Sequence, residues 1–163
     1  MKLRKLELKD APHMLEWMHD KSVVEDLRTN FLTKTIEDCQ NFIKGSWYDK
    51  NNWNVAIVDE DDTYMGTVSL KNIKKTSAEF GITVRASAMG KGYSIWAMNE
   101  ILRIAFEEYK LEQVYWCVSP DNKRAVRFYD KNEFERVEAI TLGEIEGYTQ
   151  EQIDAYVWYV VKK

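Results

Sequence analysis

The hydrophobic period of this chain changes twice between residues 76 and 119, and the changes decide its fold class. "TSAEFGITV" (Thr76–Val84) alternates, with Ala78, Phe80, Ile82 and Val84 on one face and Ser77, Glu79, Gly81 and Thr83 on the other. That is the two-residue period of a strand. From Tyr93 to about Tyr109 the period is helical: Ile95, Met98, Leu102 and Ala105 make a stripe widened by Ile101 and Phe106. "QVYWCVS" is then almost wholly apolar, as a strand in the middle of a sheet should be. Strand, long helix and buried strand in this order make the chain mixed α/β.

The flanking elements complete the reading. "WNVAIVD" and "YMGTVSLKNI", joined by the polar "DEDDT", form an antiparallel meander with the Thr76–Val84 run. "LRKLELK" near the start is an imperfect strand. Asp10 then caps a helix carrying Pro12 in its first turn, with Leu15 and Met18 buried beside Met14 or Trp17. Thr35 and Asp38 approximate a capping box for a helix whose stripe is Ile36, Cys39, Phe42 and Ile43. Asn122–Asp130 is the last helix, and "FERVEAI" and "DAYVWYVV" are closing strands. The expected order is β-α-α-β-β-β-α-β-α-β-β: a mostly antiparallel sheet with about four helices. No repeat, low-complexity run or Pro/Gly-rich linker divides residues 1–163, so one domain is expected.

Composition removes several function classes. A net charge of −4 argues against non-specific nucleic-acid binding, which uses a basic face. Cys39 and Cys117 form no paired framework, which fits a reduced, cytoplasmic setting. "MKLRKLELKD" lacks the apolar segment of a signal peptide, and no run is long enough to cross a bilayer. His13 and His19 do not share a helix face, and no metal constellation is visible.

"AMGKGYS" stands where the third alternating run meets the long helix. The first N–H groups of a helix point into such a turn, and glycines let the backbone approach an anion closely. Residues Met89 to Ser94 can therefore cradle a phosphate or pyrophosphate, with Lys91 adding charge, or form no more than a tight turn ahead of a helix. A Walker loop is ruled out, because Arg85 stands where its first glycine belongs and Gly92 where its Ser or Thr belongs. A dinucleotide fingerprint fails at Ile95, the position of its third glycine.

"SPDNKRAVRFYDKNEF" narrows the choice. Its Asn122, Ala125, Phe128, Tyr129, Lys131 and Phe134 resemble the N-x-x-[AS]-x-x-[FL]-Y-x-K-x-G-F signature of the GNAT acetyltransferases. The "AMGKGYS" turn resembles that superfamily's pyrophosphate loop, [QR]-x-x-G-x-[GA]. Within the superfamily the chain is most similar to the branch of ribosomal-protein N-terminal and amino-sugar acetyltransferases. Two positions depart: Ser87 replaces the loop's Gln/Arg, and Glu133 replaces the glycine before Phe134.

The resemblance implies a GNAT-like fold and transfer of acetyl from acetyl-CoA to a primary amine, with no metal. Tyr129 falls on the position that protonates the coenzyme sulfur, and Asn122 on one that bonds the pantetheine arm, besides being a good helix N-cap. Backbone groups of Ile82, Thr83 and Val84 would pair with pantetheine amides. Met89, Gly90, Lys91, Gly92, Tyr93 and Ser94 would hold the pyrophosphate. Glu79, on the polar face of the strand entering the turn, is the candidate base; its alternative is a solvated strand glutamate. Trp17, Trp47, Trp53 and Tyr64 are candidates for the wall of an acceptor pocket built from residues 17–33 and 141–152. The acceptor would be an amino sugar, a polyamine or a protein N-terminus, and the closing strands offer an edge for a homodimer. The Ser87 departure keeps open a regulatory module that binds acyl-CoA without transferring it.

Overall fold

The computed structural model describes residues 1–163. Seven strands form one sheet in the order β1-β2-β3-β4-β5-β7-β6. They are β1 (Lys2–Lys5), β2 (Trp53–Val58), β3 (Tyr64–Lys71), β4 (Ser77–Val84), β5 (Gln113–Val118), β6 (Glu135–Val137) and β7 (Val157–Lys162). All neighbours are antiparallel except β4 and β5, which run parallel. The expected meander is β2-β3-β4, and of the two closing strands only the three-residue β6 lies at an edge.

Six α-helices accompany the sheet: α1 (Ala11–Met18), α2 (Lys21–Val24), α3 (Ile36–Ser46), α4 (Tyr93–Glu107), α5 (Lys123–Lys131) and α6 (Gln150–Ala155). The expected four become six because α2 and α6 are too short to carry an apolar stripe. Their signals are caps: Asp20 accepts from the Ser22 N–H, and Thr149 with Gln152 forms a full capping box. Helix α6 also shortens the last strand, which begins at Val157 rather than Asp154.

Strand register sorts the core into layers. Val55 and Ile57 of β2 enter the larger core under α4, with Phe80, Met98, Ile101 and Trp116. Their neighbours Ala56 and Val58 enter a second core beneath α1, α2 and α3, with Leu6, Met14, Trp17 and Ile43. A third, small core of Tyr115, Leu142, Trp158 and Val160 covers the β5–β7 end. The pairings Ala56↔Thr67, Thr67↔Thr83, Glu79↔Tyr115 and Tyr115↔Val160 put the second and third cores on one sheet face. The gap between them is the ground on which a site can be built.

Three local expectations are corrected. The first strand ends at Lys5, and Asp10 does not cap α1 with its side chain. Asp10 is 1% exposed and accepts two bonds of 2.8 Å from Arg4 and one of 2.9 Å from the Glu7 N–H. A buried carboxylate needs such partners, and the guanidinium fork outcompetes the cap. In α3, Cys39 and Ile43 are buried, but Ile36 and Phe42 are exposed, Phe42 by 44%.

Glu133, which stands at the family's glycine, has φ +61°. That conformation costs a non-glycine residue roughly 1 kcal/mol. Glu133→Gly is therefore expected to raise stability by up to about 1 kcal/mol, less glycine's entropy cost, in urea denaturation.

Candidate active site

The site begins where two strands part. β4 and β5 pair only from Ser77–Glu79 to Gln113–Tyr115. Beyond that, β4 keeps β3 as its one neighbour and β5 keeps β7. Phe80 and Trp116, edge to face with centroids 5.4 Å apart, sit at the point of divergence. The facing edges of both strands are left without a strand partner, which opens the sheet and offers backbone groups to an extended ligand.

The Gly-Lys-Gly turn closes one end of this opening. Gly90 has φ +73° and Gly92, the N-cap of α4, has φ +87°. The first backbone bond of the helix runs from the Trp96 N–H to the Gly92 carbonyl. Residues 90 to 95 are thus six consecutive amides that donate to no carbonyl of the chain. Ile82, Thr83, Val84, Met89, Gly90, Gly92, Tyr93, Ser94 and Asn122 all line the adjoining cavity of about 260 Å³. Lys91 does not: it lies at the exposed apex between the two left-handed glycines and contributes its amide. These donors, at the positive end of a 15-residue helix, fit a diphosphate. Arg85 takes no part. It holds Glu16 with bonds of 2.9 and 3.0 Å, keeping that carboxyl below the usual range, and donates to the Tyr64 carbonyl.

Asn122 and Tyr129 stand across the opening on α5. The Asn122 side chain accepts from the Ala125 N–H at 3.2 Å, so it caps α5 and lines the cleft at once. Tyr129 is 7% exposed, its ring packed among Trp116, Phe128, Phe134 and Tyr159 with centroids 5.1 to 6.3 Å away. Trp116 Nε1 is the one sealed side-chain nitrogen or oxygen lacking a partner, so the unbonded Tyr129 hydroxyl reaches the cavity. Burial pushes its phenol well above the ordinary tyrosine value, so it stays protonated.

Ile82, Thr83, Asn122, Ala125 and Tyr129 also line a second cavity of about 570 Å³, which continues onto the opposite sheet face. Its floor is polar by register: Thr67 faces Thr83, Ser69 faces Gly81 and Lys71 faces Glu79. Ser69 donates to Asn54 at 2.6 Å, and Thr67 exchanges a 2.7 Å bond with the Tyr64 hydroxyl. Glu79 is 3% exposed rather than solvated. Its Oε1 accepts from Lys71 Nζ at 3.3 Å and from the Tyr148 hydroxyl, and its Oε2 from Asn72 at 3.4 Å. Cys117 is in the wall, its thiol pushed by burial up to about 11 and so kept protonated.

Of the segments expected around the pocket, the early one lines the cavity from Trp17 to Phe31, whereas residues 141–152 contribute Tyr148 alone and Tyr156 lies beyond them. Of the four aromatic wall candidates only Trp17 lines the cavity. Trp47 bonds the Leu6 carbonyl, Trp53 packs on Tyr109, and Tyr64 lies beneath the floor. Reading the sequence missed Lys71 and Tyr148. Lys71 carried a signal, since the meander pairing sets it opposite Glu79; Tyr148 carried none, because its contact spans 69 positions.

No helix is long and apolar enough to cross a membrane, and no cluster of three His, Cys, Asp or Glu side chains is placed to hold a metal ion. The sequence profile of the acetyltransferase (GNAT) domain matches residues 1–135. The acetyltransferase PseH of Campylobacter jejuni is 26% identical over 121 residues, 74% of each chain. An N-acetyltransferase of Bacillus licheniformis, p20, is 25% identical over 99% of this chain and 92% of its own. Among solved structures, the spermidine N-acetyltransferase of Vibrio cholerae with CoA and spermine superposes with a TM-score of 0.79 at 19% identity, covering 99% of this chain and 94% of that one. A GNAT acetyltransferase of Bacillus anthracis gives 0.77 at 23% identity over 98% and 93%. Fold, splayed strands, amide-lined turn and profile agree, and the chain belongs to the GNAT family as an N-acetyltransferase.

Proposed function

We propose that the protein moves an acetyl group directly from acetyl-CoA to a primary amine on a hydroxylated small molecule of the amino-sugar class. The observation that carries the reading is the run of six unpartnered amides, residues 90 to 95, opening onto the gap between β4 and β5. Those amides would hold the diphosphate, with Asn122 and the free edge of Ile82–Val84 holding the pantetheine arm. Bound there, acetyl-CoA supplies an activated acetyl thioester.

The chain's own groups meet the remaining needs. Tyr129 holds a proton at its hydroxyl, facing the cleft, for the departing sulfur; a thiolate near the cysteine value of about 8.5 leaves more readily once protonated. Glu79 holds an acceptor site for the proton that the incoming ammonium must lose. Phe80 and Trp116 exclude water where the strands part.

The acceptor class rests on the floor and walls. Thr67 and Ser69 supply buried hydroxyls and Asn54 a half-buried amide, and Trp17, Phe31 and Phe42 supply apolar faces. Three carboxylates (Asp26, Asp38, Glu79) are matched by three cations (Arg28, Lys34, Lys71). A polyamine would call for surplus negative charge, which this wall does not have.

Titration calorimetry with acetyl-CoA, followed by CoA-release assays on amino sugars, amino-sugar nucleotides, spermidine and peptides, tests the reading. Binding with turnover of an amino sugar supports it. Spermidine as the best acceptor would remove the substrate class, and binding without turnover of any amine would favour a regulatory module. Gly92→Val, which places a β-branched side chain at φ +87°, is expected to weaken acetyl-CoA at least about tenfold.

A further inference from the structure

The chamber behind Glu79 is spanned by a side-chain bridge that the transfer chemistry does not use. Arg28, from the segment after α2, reaches the loop before α6. It donates to the Gly147 carbonyl, and its guanidinium lies over the Tyr148 ring, 4.2 Å from the centroid. Tyr148 is fixed in turn: its hydroxyl donates to Glu79 and its ring packs edge-on against Trp158 at 5.4 Å. The contacts span 119 positions of sequence on one side and 69 on the other. They tie the two segments that wall the chamber to each other and to its floor.

We propose that Arg28 and Tyr148 form a strap that closes the acceptor chamber, and that they select acceptors by shape and by what can enter. The inference rests on the reading of this chamber as the acceptor site. Its physical basis is an exposed arginine held by two weak but cooperating contacts, a cation–π stack and a charge-assisted bond to a carbonyl. Such a pair closes the chamber most of the time and releases without unfolding the chain. Trp158 holds the aromatic half from the side, and the bond from Tyr148 to Glu79 fixes the carboxylate's orientation in the closed state.

Cys117 reports the state of the strap, since it lines the chamber, whereas Cys39 is fully buried in the second core. With saturating acetyl-CoA filling the other end of the cleft, the protein is treated with N-ethylmaleimide and labelling of each cysteine is followed by peptide mass spectrometry. Arg28→Ala and Tyr148→Leu are expected to speed labelling of Cys117 about fivefold or more. Tyr148→Phe keeps the ring under Arg28 and is expected to stay within about twofold of the parent. Glu79→Gln, whose amide oxygen still accepts from Tyr148, is expected to do the same. Slow labelling of Cys39 throughout shows that the variants are folded. Equal Cys117 rates in Arg28→Ala and the parent overturn the strap.

Kinetics with the amine of highest turnover give a second measure. Arg28→Ala is expected to raise that amine's KM several-fold with kcat little changed; a fall in kcat at unchanged KM overturns the proposal. The two readings separate cleanly. Accelerated labelling with an active Glu79→Gln enzyme keeps the strap and removes the base, and the reverse pattern keeps the base and removes the strap.

Discussion

Tyr129→Phe is expected to lower kcat at least about tenfold, some 1.4 kcal/mol of transition-state stabilisation, with acetyl-CoA affinity nearly unchanged. The hydroxyl bonds nothing in the chain, so its loss breaks no internal contact. The phenylalanine ring keeps the packing against Trp116 and Tyr159. Thermal stability should therefore stay within about 0.5 kcal/mol of the parent, the range of a substitution that opens no cavity. The minimum is set below the usual general-acid contribution of about 10²-fold or more because a thiolate is already a fair leaving group. Unchanged turnover, in an enzyme whose acetyl-transfer step limits the rate, would leave Tyr129 as a core residue. The pH profile adds a check with a definite sign. A proton donor fails when it ionises, and burial raises this phenol above the ordinary value of about 10. Any loss of activity on the alkaline side below that pH must come from another group and should survive in Tyr129→Phe.

The fold was largely legible because its long elements have strong periods. The meander, α4 and the apolar β5 follow from alternation and from a 15-residue stripe. The errors cluster where period gives no information. Helices α2 and α6 have four and six residues, and only their caps announce them. Propensity places Asp10 at a cap, while its partner in the fold, Arg4, is brought to it by β1. Gly66 gave no sign at all, yet a Cβ there would stand 2.5 Å from the Thr83 carbonyl oxygen; its absence lets β3 press against β4 beside the cleft.

The site divides in the same way. The turn at Gly90–Gly92 and the Asn122–Tyr129 helix were readable because each is local, a left-handed glycine pair and an N-cap at fixed spacing. The divergence of β4 from β5 was not, since it is a relation between strands separated by a helix. Alternation puts Glu79 on the face of Gly81 and Thr83, but its contact with Tyr148 comes from far along the chain. The α3 stripe puts Phe42 in line with the core. It is 44% exposed and lines the chamber, because the helix stripe is wider than the core beneath it.

Glu79→Gln should reduce activity most at neutral pH, by about 10²-fold where proton removal limits the rate, and recover part of it as pH rises. The sign follows from the substrate: an ammonium cannot attack, and higher pH supplies free amine without help from a base. Folding should be little affected. Gln is isosteric, its oxygen still accepts from Tyr148, and the Lys71 left without its carboxylate is 38% exposed and can turn to water. The competing role for Glu79 is to be only a counter-ion to Lys71, and the pair Lys71→Met and Glu79→Gln separates the two. A counter-ion predicts that both variants lose activity alike and that neither responds to pH. A base predicts that Lys71→Met stays active, since removing that cation leaves a carboxylate still held by Tyr148 and Asn72. An inactive Lys71→Met beside a Glu79→Gln enzyme with no alkaline recovery would assign both residues to the architecture of the floor.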